Sequence, residues 1–153
     1  MDPHMDIAPA TENDIPALVG LLDILFSQEA EFTPDHQAQE RGLKRIITDH
    51  DLGFILVGKI GGRPVAMVNI LFTVSTALGQ RVAILEDMVV APGYRSSGLG
   101  SALLDRAIDQ ARRSGCLRIT LLTDQDNELA HRFYQGRGFT RSAMVPFRLS
   151  LTP

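Results

Sequence analysis

Residues 93–104 of the chain read GYRSSGLGSALL and follow closely on the apolar run AILEDMVV at residues 83–90. The run is typical of a strand, and the apolar spacing after residue 98 is typical of a helix. The first amides of a helix have no partner within it, and the helix dipole adds partial positive charge there. Because glycine and serine leave room for close approach, we interpret residues 95–101, the anion loop, as a binding site for a pyrophosphate.

Strand-like and helical patterns alternate along the whole chain. Apolar residues recur at helical spacing in residues 15–26, 38–49, 98–114 and 127–137. Strand-like runs lie at residues 5–10, 53–60, 64–74, 81–90, 117–123 and 139–151, and the last of these has room for one or two strands. The order β-α-α-β-β-β-α-β-α-β predicts an α/β (α+β) domain with a mixed sheet and helices on both faces.

Composition limits the classes of function. The chain has 153 residues, of which 44% are hydrophobic and 22% are charged, as in an ordinary soluble domain. Its formal net charge of −3 argues against a nucleic-acid partner, which favours a basic surplus. No apolar run approaches the roughly 20 residues of a membrane span, so no membrane partner is expected. Residues 1–4 have the character of a cloning remnant, which leaves residues 5–153 as one predicted domain.

The cysteine and histidine content predicts neither a disulfide nor a metal centre. Cys116 is the one cysteine, which fits a reducing cytoplasm, and we expect it to be a small buried apolar residue rather than a nucleophile. His36, His50 and His131 are scattered without the spacing of metal ligands, so no metal is expected.

The sequence of the anion loop also allows a dinucleotide as the phosphate ligand. The stretch GLGSAL at residues 98–103 half-matches the dinucleotide motif G-x-G-x-x-G, and Asp124 ends the next strand about where a ribose-binding acid belongs. However, Leu103 stands in place of the third glycine, and only one strand–helix–strand unit surrounds the loop. A nicotinamide or flavin enzyme is therefore disfavoured, and a glycine-rich turn without a ligand is the other alternative.

Two motifs carry a resemblance to a known family. Residues 95–100 have the pattern R-x-x-G-x-G behind Val90-Ala91-Pro92, and residues 127–139 read NELAHRFYQGRGF. Together they resemble the acetyl-CoA motif and the second signature of the GNAT superfamily of N-acetyltransferases, and the order of elements before them agrees from Asp6 onward. Ser96 departs from the glycine that is common at its position.

The resemblance implies a fold, a cosubstrate and a set of contacts. It implies a central mixed sheet of six to seven strands with four helices on both faces, in which the fourth and fifth strands splay apart around the pantetheine arm of acetyl-CoA. The expected cofactor contacts come from the end of the fourth strand, the anion loop and the last helix: Met88, Val89, Val90, Arg95, Ser96, Ser97, Gly98, Leu99, Gly100, Ser101, Asn127, Ala130, Phe133 and Tyr134.

Acetyl transfer to an amine requires a base, because an alkyl ammonium has a pKa near 10.4 and stays protonated at neutral pH. Side chains alternate along a strand, so Glu86 is predicted to share a face with Met88, while Asp87 points the other way. By the resemblance, Glu86 is the candidate base. The alternatives are that Glu86 forms a structural pair with an arginine, or that Asp87 or Asp124 is the base.

Two further groups complete the expected chemistry. The backbone amide of Met88 or Val89 is the candidate donor to the developing oxyanion. Asn127, His131 and Tyr134 are spaced to share one helix face, and Tyr134 is the candidate acid or thiolate stabiliser. The alternative for Tyr134 is an anchor of the helix on the sheet, and His131 is expected to be a surface residue.

The sequence says less about the amine acceptor and about the oligomeric state. Glu29, Glu31 and Asp35, together with Asp87, are weak candidates for binding a cationic amine, and a small-molecule amine is expected rather than a protein tail. A non-catalytic module that binds acyl-CoA is the alternative function. The terminal stretch PFRLSLTP, residues 146–153, offers a strand edge through which a homodimer could form.

Overall fold

A computed structural model describes residues 4–28 and 33–152 of the chain. The first half contains β1 (Asp6–Pro9), a short 3-10 turn (Glu12–Asp14), α1 (Ile15–Phe26), α2 (His36–Thr48), β2 (Gly53–Ile60) and β3 (Arg63–Ser75). The second half contains β4 (Gln80–Val90), α3 (Leu99–Arg113), β5 (Ile119–Leu121) and α4 (Glu128–Gly136). No helix within the described ranges is long and apolar enough to cross a membrane.

The strands form one mixed sheet in the order β1-β2-β3-β4-β5. The first four strands pair antiparallel, and β4 pairs with β5 in parallel. Gly61 and Gly62 join β2 to β3 with φ angles of +58° and +78°, a left-handed two-residue turn whose twist matches that of a hairpin. The predicted hairpin is therefore present, and the parallel pair requires α3 as its crossover.

Helices cover both faces of this sheet, as the apolar patterns predict. On one face, Leu103, Leu104 and Ala107 of α3 pack with alternate residues of β3 in a fully buried cluster. On the other face, Leu18 and Leu22 of α1 and Leu43 of α2 pack against the residues of β2 and β3 that point the opposite way. The α/β class, the mixed sheet and the two helical layers are thus confirmed.

The predicted number of strands is wrong. Among the described residues the sheet has five strands rather than six to seven, and residues 139–152 form no strand. No backbone–backbone hydrogen bond joins residues 140–152 to any other described residue, so their alternating pattern has no partner edge. The fifth strand is also shorter than residues 117–123, because β4 and β5 are paired only over three positions.

Candidate active site

The strands β4 and β5 part halfway along β4. Their parallel pairing ends where Leu85 faces Leu121, but β4 continues to Val90 while still paired to β3. Beyond Leu85, one edge of β4 therefore has no strand beside it among the described residues, and we call residues 86–90 the open edge. The implied splay of the fourth and fifth strands corresponds to this divergence.

A β-bulge lies at the start of the open edge. Asn69 of β3 pairs with Asp87, while Ile70 pairs with Leu85, so that Glu86 is an extra residue in β4. Leu85 and Met88 consequently both pack on the α3 side of the sheet. The predicted alternation, with Glu86 on the side of Met88, is wrong because the extra residue shifts the two-residue period.

The side chain of Glu86 is exposed, and no ion pair or hydrogen bond involves it within the described part of the chain. Following Leu85 in the strand, Glu86 belongs to the face that α1 and α2 cover. The alternative interpretation, a carboxylate paired with an arginine for structure, finds no support in these contacts.

Asp87 is held by a residue that the sequence analysis did not single out as a functional candidate. The amide Nδ2 of Asn69 donates to Asp87 Oδ2 over 2.9 Å, and Asn69 is only 3% exposed. Its Oδ1 is buried without a partner among the described residues. The signal was present in the sequence as one polar amide inside the apolar run PVAMVNILF, because a buried polar group must find a partner.

The anion loop leads into α3 without a side-chain cap. Gly98 is the N-cap, with a left-handed φ of +84°, and no side chain of residues 4–28 and 33–152 caps the first turn. The backbone N–H groups of residues 96–101 donate to no acceptor among the described residues. Ser96 also has a positive φ of +63°, which explains why glycine is favoured at this position.

The surroundings of the anion loop fit an anionic group. A Cβ added to Gly98 would meet nothing within 4 Å, so the space before the helix is open. Two loop side chains bond inward: Arg95 Nε donates to Val90 O over 3.0 Å, and Ser97 Oγ donates to Tyr94 O over 2.6 Å. These bonds fix the loop while leaving its amides, and the terminal nitrogens of Arg95, without partners in the described residues. The loop therefore presents a group of hydrogen-bond donors that have no acceptor among the described residues.

Helix α4 lies beside this loop but begins one residue later than the motif suggests. Asn127 is its N-cap, and its Oδ1 accepts from the Ala130 N–H over 3.1 Å. The side-chain oxygen of Asn127 thus caps the helix, and its Nδ2 is available for other contacts. The ring of Phe133 lies 3.5 Å from a Cβ built on Gly100, so α4 and the start of α3 are in close contact.

His131 and Tyr134 have different surroundings on α4. His131 Nε2 lies 3.0 Å from the carbonyl oxygen of Asp124, which ties the helix to the loop before it. Tyr134 is half-buried, with edge-on contacts to Phe133 at 5.1 Å and Phe139 at 5.6 Å between ring centroids. Burial raises the pKa of Tyr134 to about 12. Its hydroxyl is therefore neutral at pH 7, and no described residue bonds to it.

The remaining predicted residues lie away from the anion loop and the open edge, or outside the described residues. Glu29 and Glu31 fall outside the described residues. Asp35 caps α2, with its Oδ1 accepting from the Ala38 N–H over 3.1 Å. Cys116 is 9% exposed, and burial raises the pKa of its thiol, which disfavours a nucleophile. No cluster of three or more metal-ligating side chains occurs in residues 4–28 and 33–152.

Comparison with known proteins identifies the family. Residues 18–139 match the Acetyltransferase (GNAT) family. The chain is 31% identical over 138 residues to the uncharacterized N-acetyltransferase YhfO of Bacillus subtilis, covering 88% of this chain and 89% of that protein. It is 26% identical over 140 residues to the aminoalkylphosphonate N-acetyltransferase of Salmonella typhimurium, covering 92% and 88%.

A solved structure, the aminoglycoside N-acetyltransferase AAC(6')-Iy in complex with CoA, superposes with a TM-score of 0.82 over 99% of this chain and 98% of that one, at 18% identity. At that identity the likeness bears on the fold alone. The match over residues 18–139 shows that this chain belongs to the GNAT family of acetyltransferases, whose members use acetyl-CoA.

Proposed function

We propose that the chain transfers the acetyl group of acetyl-CoA to the primary amine of a small molecule. The observation that carries this proposal is the run of amides at residues 96–101 that have no acceptor among the described residues, shortly after the open edge of β4. A binding site that offers several amide donors, at the positive end of a 15-residue helix, suits a pyrophosphate. When bound, acetyl-CoA supplies an activated thioester.

The contacts to the cosubstrate divide between three elements. The amides of Ser96 to Ser101, with the free nitrogens of Arg95, bind the pyrophosphate. Met88, Val89 and Val90 line the open edge, where an extended chain can occupy the position of a strand. On α4, Asn127 Nδ2, Ala130 and Phe133 are the proposed contacts, and the Phe133 ring lies 3.5 Å from a Cβ built on Gly100 at the start of α3.

Backbone direction favours Met88 over Val89 as the oxyanion donor. The Ala91 N–H donates to Val65 O over 2.8 Å, toward β3. Because N–H directions alternate along a strand, the Val89 N–H also points to β3, and that of Met88 points to the open edge. The Met88 amide is therefore the donor held ready for the developing negative charge.

Glu86 acts as the general base in this proposal. Its carboxylate is exposed at the bulge and has no partner among the described residues, so it can accept a proton from the amine directly or through one water. Asp87, by contrast, already accepts a hydrogen bond from Asn69, and it is better suited to holding the ammonium group of the acceptor.

Tyr134 stabilises the leaving thiolate by donating a hydrogen bond. Full proton transfer is unfavourable, because the Tyr134 pKa of about 12 lies well above the roughly 8.5 of a thiol. The same high pKa keeps the hydroxyl protonated, and so able to donate, at neutral pH. Its ring contact with Phe139 also anchors the helix, so the two interpretations of Tyr134 are compatible with each other.

The acceptor class is supported by the relatives' names. The relatives include an aminoalkylphosphonate N-acetyltransferase and an aminoglycoside N(6')-acetyltransferase, whose substrates by name are small amines. The open edge begins with two adjacent carboxylates, Glu86 and Asp87, which favour an acceptor that carries a positive charge.

Two measurements test the proposal together. Calorimetry with CoA should detect binding, and thiol release from acetyl-CoA should accelerate with at least one member of a panel of aminoalkylphosphonates, aminoglycosides, diamines and amino acid amides. Binding without turnover on any amine would favour the alternative, a non-catalytic acyl-CoA-binding module. Absence of binding would overturn the assignment of the anion loop.

A further inference from the structure

A buried amide lies beside the start of the open edge. Asn69 is 3% exposed in β3 and faces Asp87 across the β3–β4 pair. On the same face of the sheet, Met67 of β3 and Ile55 of β2 pack in the apolar cluster with α1 and α2. Burying an amide among apolar side chains is costly unless its hydrogen bonds are made. Packing alone therefore does not account for an asparagine at this position.

Asn69 uses only part of its hydrogen-bonding capacity within the described residues. Its Nδ2 donates to Asp87 Oδ2 over 2.9 Å, whereas its Oδ1 is buried and has no partner there. A buried acceptor without a partner lowers stability, so the amide is not fully used by the fold. Since Oδ1 is closed to solvent, Asn69 can act on a ligand only through the carboxylate of Asp87.

The bond from Asn69 fixes the direction of this carboxylate. Asp87 is half-buried and, two residues before Val89, lies on the face that α1 and α2 cover. Strand β3 runs along one side of β4, and the open edge is the other side. The bond therefore holds the Asp87 carboxylate toward β3, away from the edge where the Met88 amide is the proposed oxyanion donor.

Glu86 and Asp87 are adjacent carboxylates with unlike surroundings. Glu86 is exposed, and no ion pair involves it in the described part of the chain. Asp87 is half-buried and accepts from Asn69, and a hydrogen bond donated to a carboxylate favours its charged form. Glu86 is thus suited to taking up a proton, and Asp87 is suited to remaining a fixed negative charge.

A fixed negative charge does not suit the amine that attacks. An ammonium group has no lone pair, and a carboxylate beside it makes its proton harder to remove. The attacking amine must lose that proton, so it belongs beside Glu86, and Asp87 is left for a different cationic group. A carboxylate accepts several hydrogen bonds at once, so the bond from Asn69 is compatible with bonds from a ligand.

We infer that Asp87, positioned by Asn69, binds a second ammonium group of the acceptor, so that the substrate is an amine with two cationic groups. This inference rests on the proposed function and narrows its substrate class. The first ammonium gives a proton to Glu86, and its nitrogen forms the new C–N bond. The C–S bond of the thioester breaks, its electron pair leaves on sulfur, and the surplus proton of the nitrogen goes to the departing thiolate. The second ammonium keeps its protons throughout.

The first test is binding without turnover, by calorimetry on the full chain saturated with CoA. The probes are α,ω-diamines of increasing length, each paired with the amino alcohol of the same length, in which a hydroxyl replaces one ammonium. We expect the best diamine to bind roughly tenfold to 100-fold more tightly than its amino alcohol, the value of a hydrogen bond to a charged group. Equal affinity within every pair for wild type would overturn the inference.

Variants test the role of Asn69 in this preference. Asn69→Leu keeps the approximate volume but removes the donor, and it should reduce the preference for the diamine to about threefold or less. In an Asp87→Asn background the same change should have no further effect, because Asn69 acts through Asp87. Asn69→Ala makes the same test if circular dichroism shows that Asn69→Leu does not fold. A wild-type preference in the Asn69 variant, or a further loss in the double variant, would contradict the inference.

Gln39→Leu is the matched control. Gln39 of α2 is also a buried amide, 8% exposed, and its Nε2 donates to Asp23 Oδ1 over 3.2 Å. Its Oε1 likewise has no partner among the described residues. The replacement removes the same groups at a different place and should keep the preference for the diamine. An equal loss in Gln39→Leu would mean that the effect is not specific to Asn69, and the inference would fail.

Turnover separates this inference from the proposed function. With acetyl-CoA, Asn69→Leu should raise the KM of the diamine roughly tenfold or more and change kcat by less than about threefold, since the lost contact is the same in the ground and transition states. Acetylation of amino alcohols as efficient as that of diamines would uphold the transferase and overturn the second ammonium site. Diamine-selective binding without acetylation would uphold the site and overturn the transferase.

Discussion

The carboxylates of Asp14, at the start of α1, and of Glu86, on the open edge of β4, differ in their partners. Asp14 is 6% exposed and pairs with Lys59 Nζ at 2.8 Å and the Thr11 N–H at 2.8 Å. Burial favours the protonated form of Asp14, but Lys59 and Thr11 outweigh it and hold its pKa below the usual value. Glu86 has no such partner among the described residues.

The N-termini of the helices differ in the same way, since some have a capping partner and others do not. The N-termini of α2 and α4 are closed by Asp35 and Asn127, each accepting from an amide of the first turn at 3.1 Å. The N-terminus of α3 has no such cap. Polar groups that serve stability find partners within the chain, whereas the open groups of β4 and α3 are available to a ligand.

The largest expected effect is that of replacing Glu86, the carboxylate that has no partner among the described residues. Glu86→Gln should lower kcat roughly 100- to 1,000-fold at pH 7, because no base then deprotonates the amine. Activity should recover partly as pH rises and free amine becomes abundant. A pH–rate profile of both proteins checks this.

Asp124→Asn serves as the control for Glu86→Gln and should keep most of the activity. A larger loss in Asp124→Asn than in Glu86→Gln would transfer the role of base to Asp124. A Glu86→Gln profile parallel to that of wild type at all pH values would remove Glu86 from proton transfer.

The next effect tests the uncapped helix. Gly100→Asp introduces a negative charge into the anion loop and should weaken CoA binding about 100-fold by calorimetry, because it repels the pyrophosphate. The added Cβ meets Phe133 and Val90 at ordinary contact distances of 3.5 Å, and an acid in the first turn suits the helix dipole, so the fold should persist.

Gly42→Asp is the matched control for that charge. Gly42 lies in α2, exposed and with nothing within 4 Å of an added Cβ. Its replacement should leave CoA affinity unchanged within about twofold. Equal affinity in both variants would mean that the pyrophosphate does not bind at the start of α3.

Tyr134 provides a pH test with a defined sign. Burial favours the neutral phenol, with a pKa of about 12, so the folded protein should gain stability from it below about pH 10 and lose it as pH rises through about 12. The chain has two tyrosines and no tryptophan, which makes tyrosinate absorbance readable. The late transition should be absent in Tyr134→Phe, with circular dichroism reporting whether the fold persists at each pH.

The catalytic effect of the same hydroxyl is expected to be smaller. Tyr134→Phe should lower kcat about tenfold, the value of one hydrogen bond to a charged group, with little change in CoA affinity. Tyr94→Phe is the matched control. Unchanged kcat in Tyr134→Phe would leave Tyr134 as an anchor alone.

The smallest expected effect is that of removing Asp35, a carboxylate that already has a partner within the chain. Asp35→Ala removes the cap of α2 and should lower the free energy of unfolding by about 1 kcal/mol, without altering CoA affinity. Thr33→Ala, two residues earlier, is the control and should change neither quantity. Denaturant titration and calorimetry measure the two. A loss of CoA affinity in Asp35→Ala would show that the two regions are coupled.

Features governed by neighbours along the chain were predictable from the sequence. The helical stripes, the Gly61–Gly62 hairpin and the anion loop each follow from residue spacing within a few positions. The sequence predicts a strand over residues 139–151 for the same reason, since their alternation is real. Alternation states only which side chains share a face, and it does not supply the partner edge that makes a strand.

What only the tertiary structure decided depends on partners distant in sequence. The bulge at Glu86 exists because β3 pairs with β4 in one particular register, and it reverses the predicted face of Glu86. The burial that raises the pKa of Tyr134 comes from packing between α4 and its surroundings. The sequence by itself determined the periodic elements and the uncapped helix start, because these are local. Register, burial and the pairing of polar groups were decided by tertiary contacts, because each needs two segments brought together.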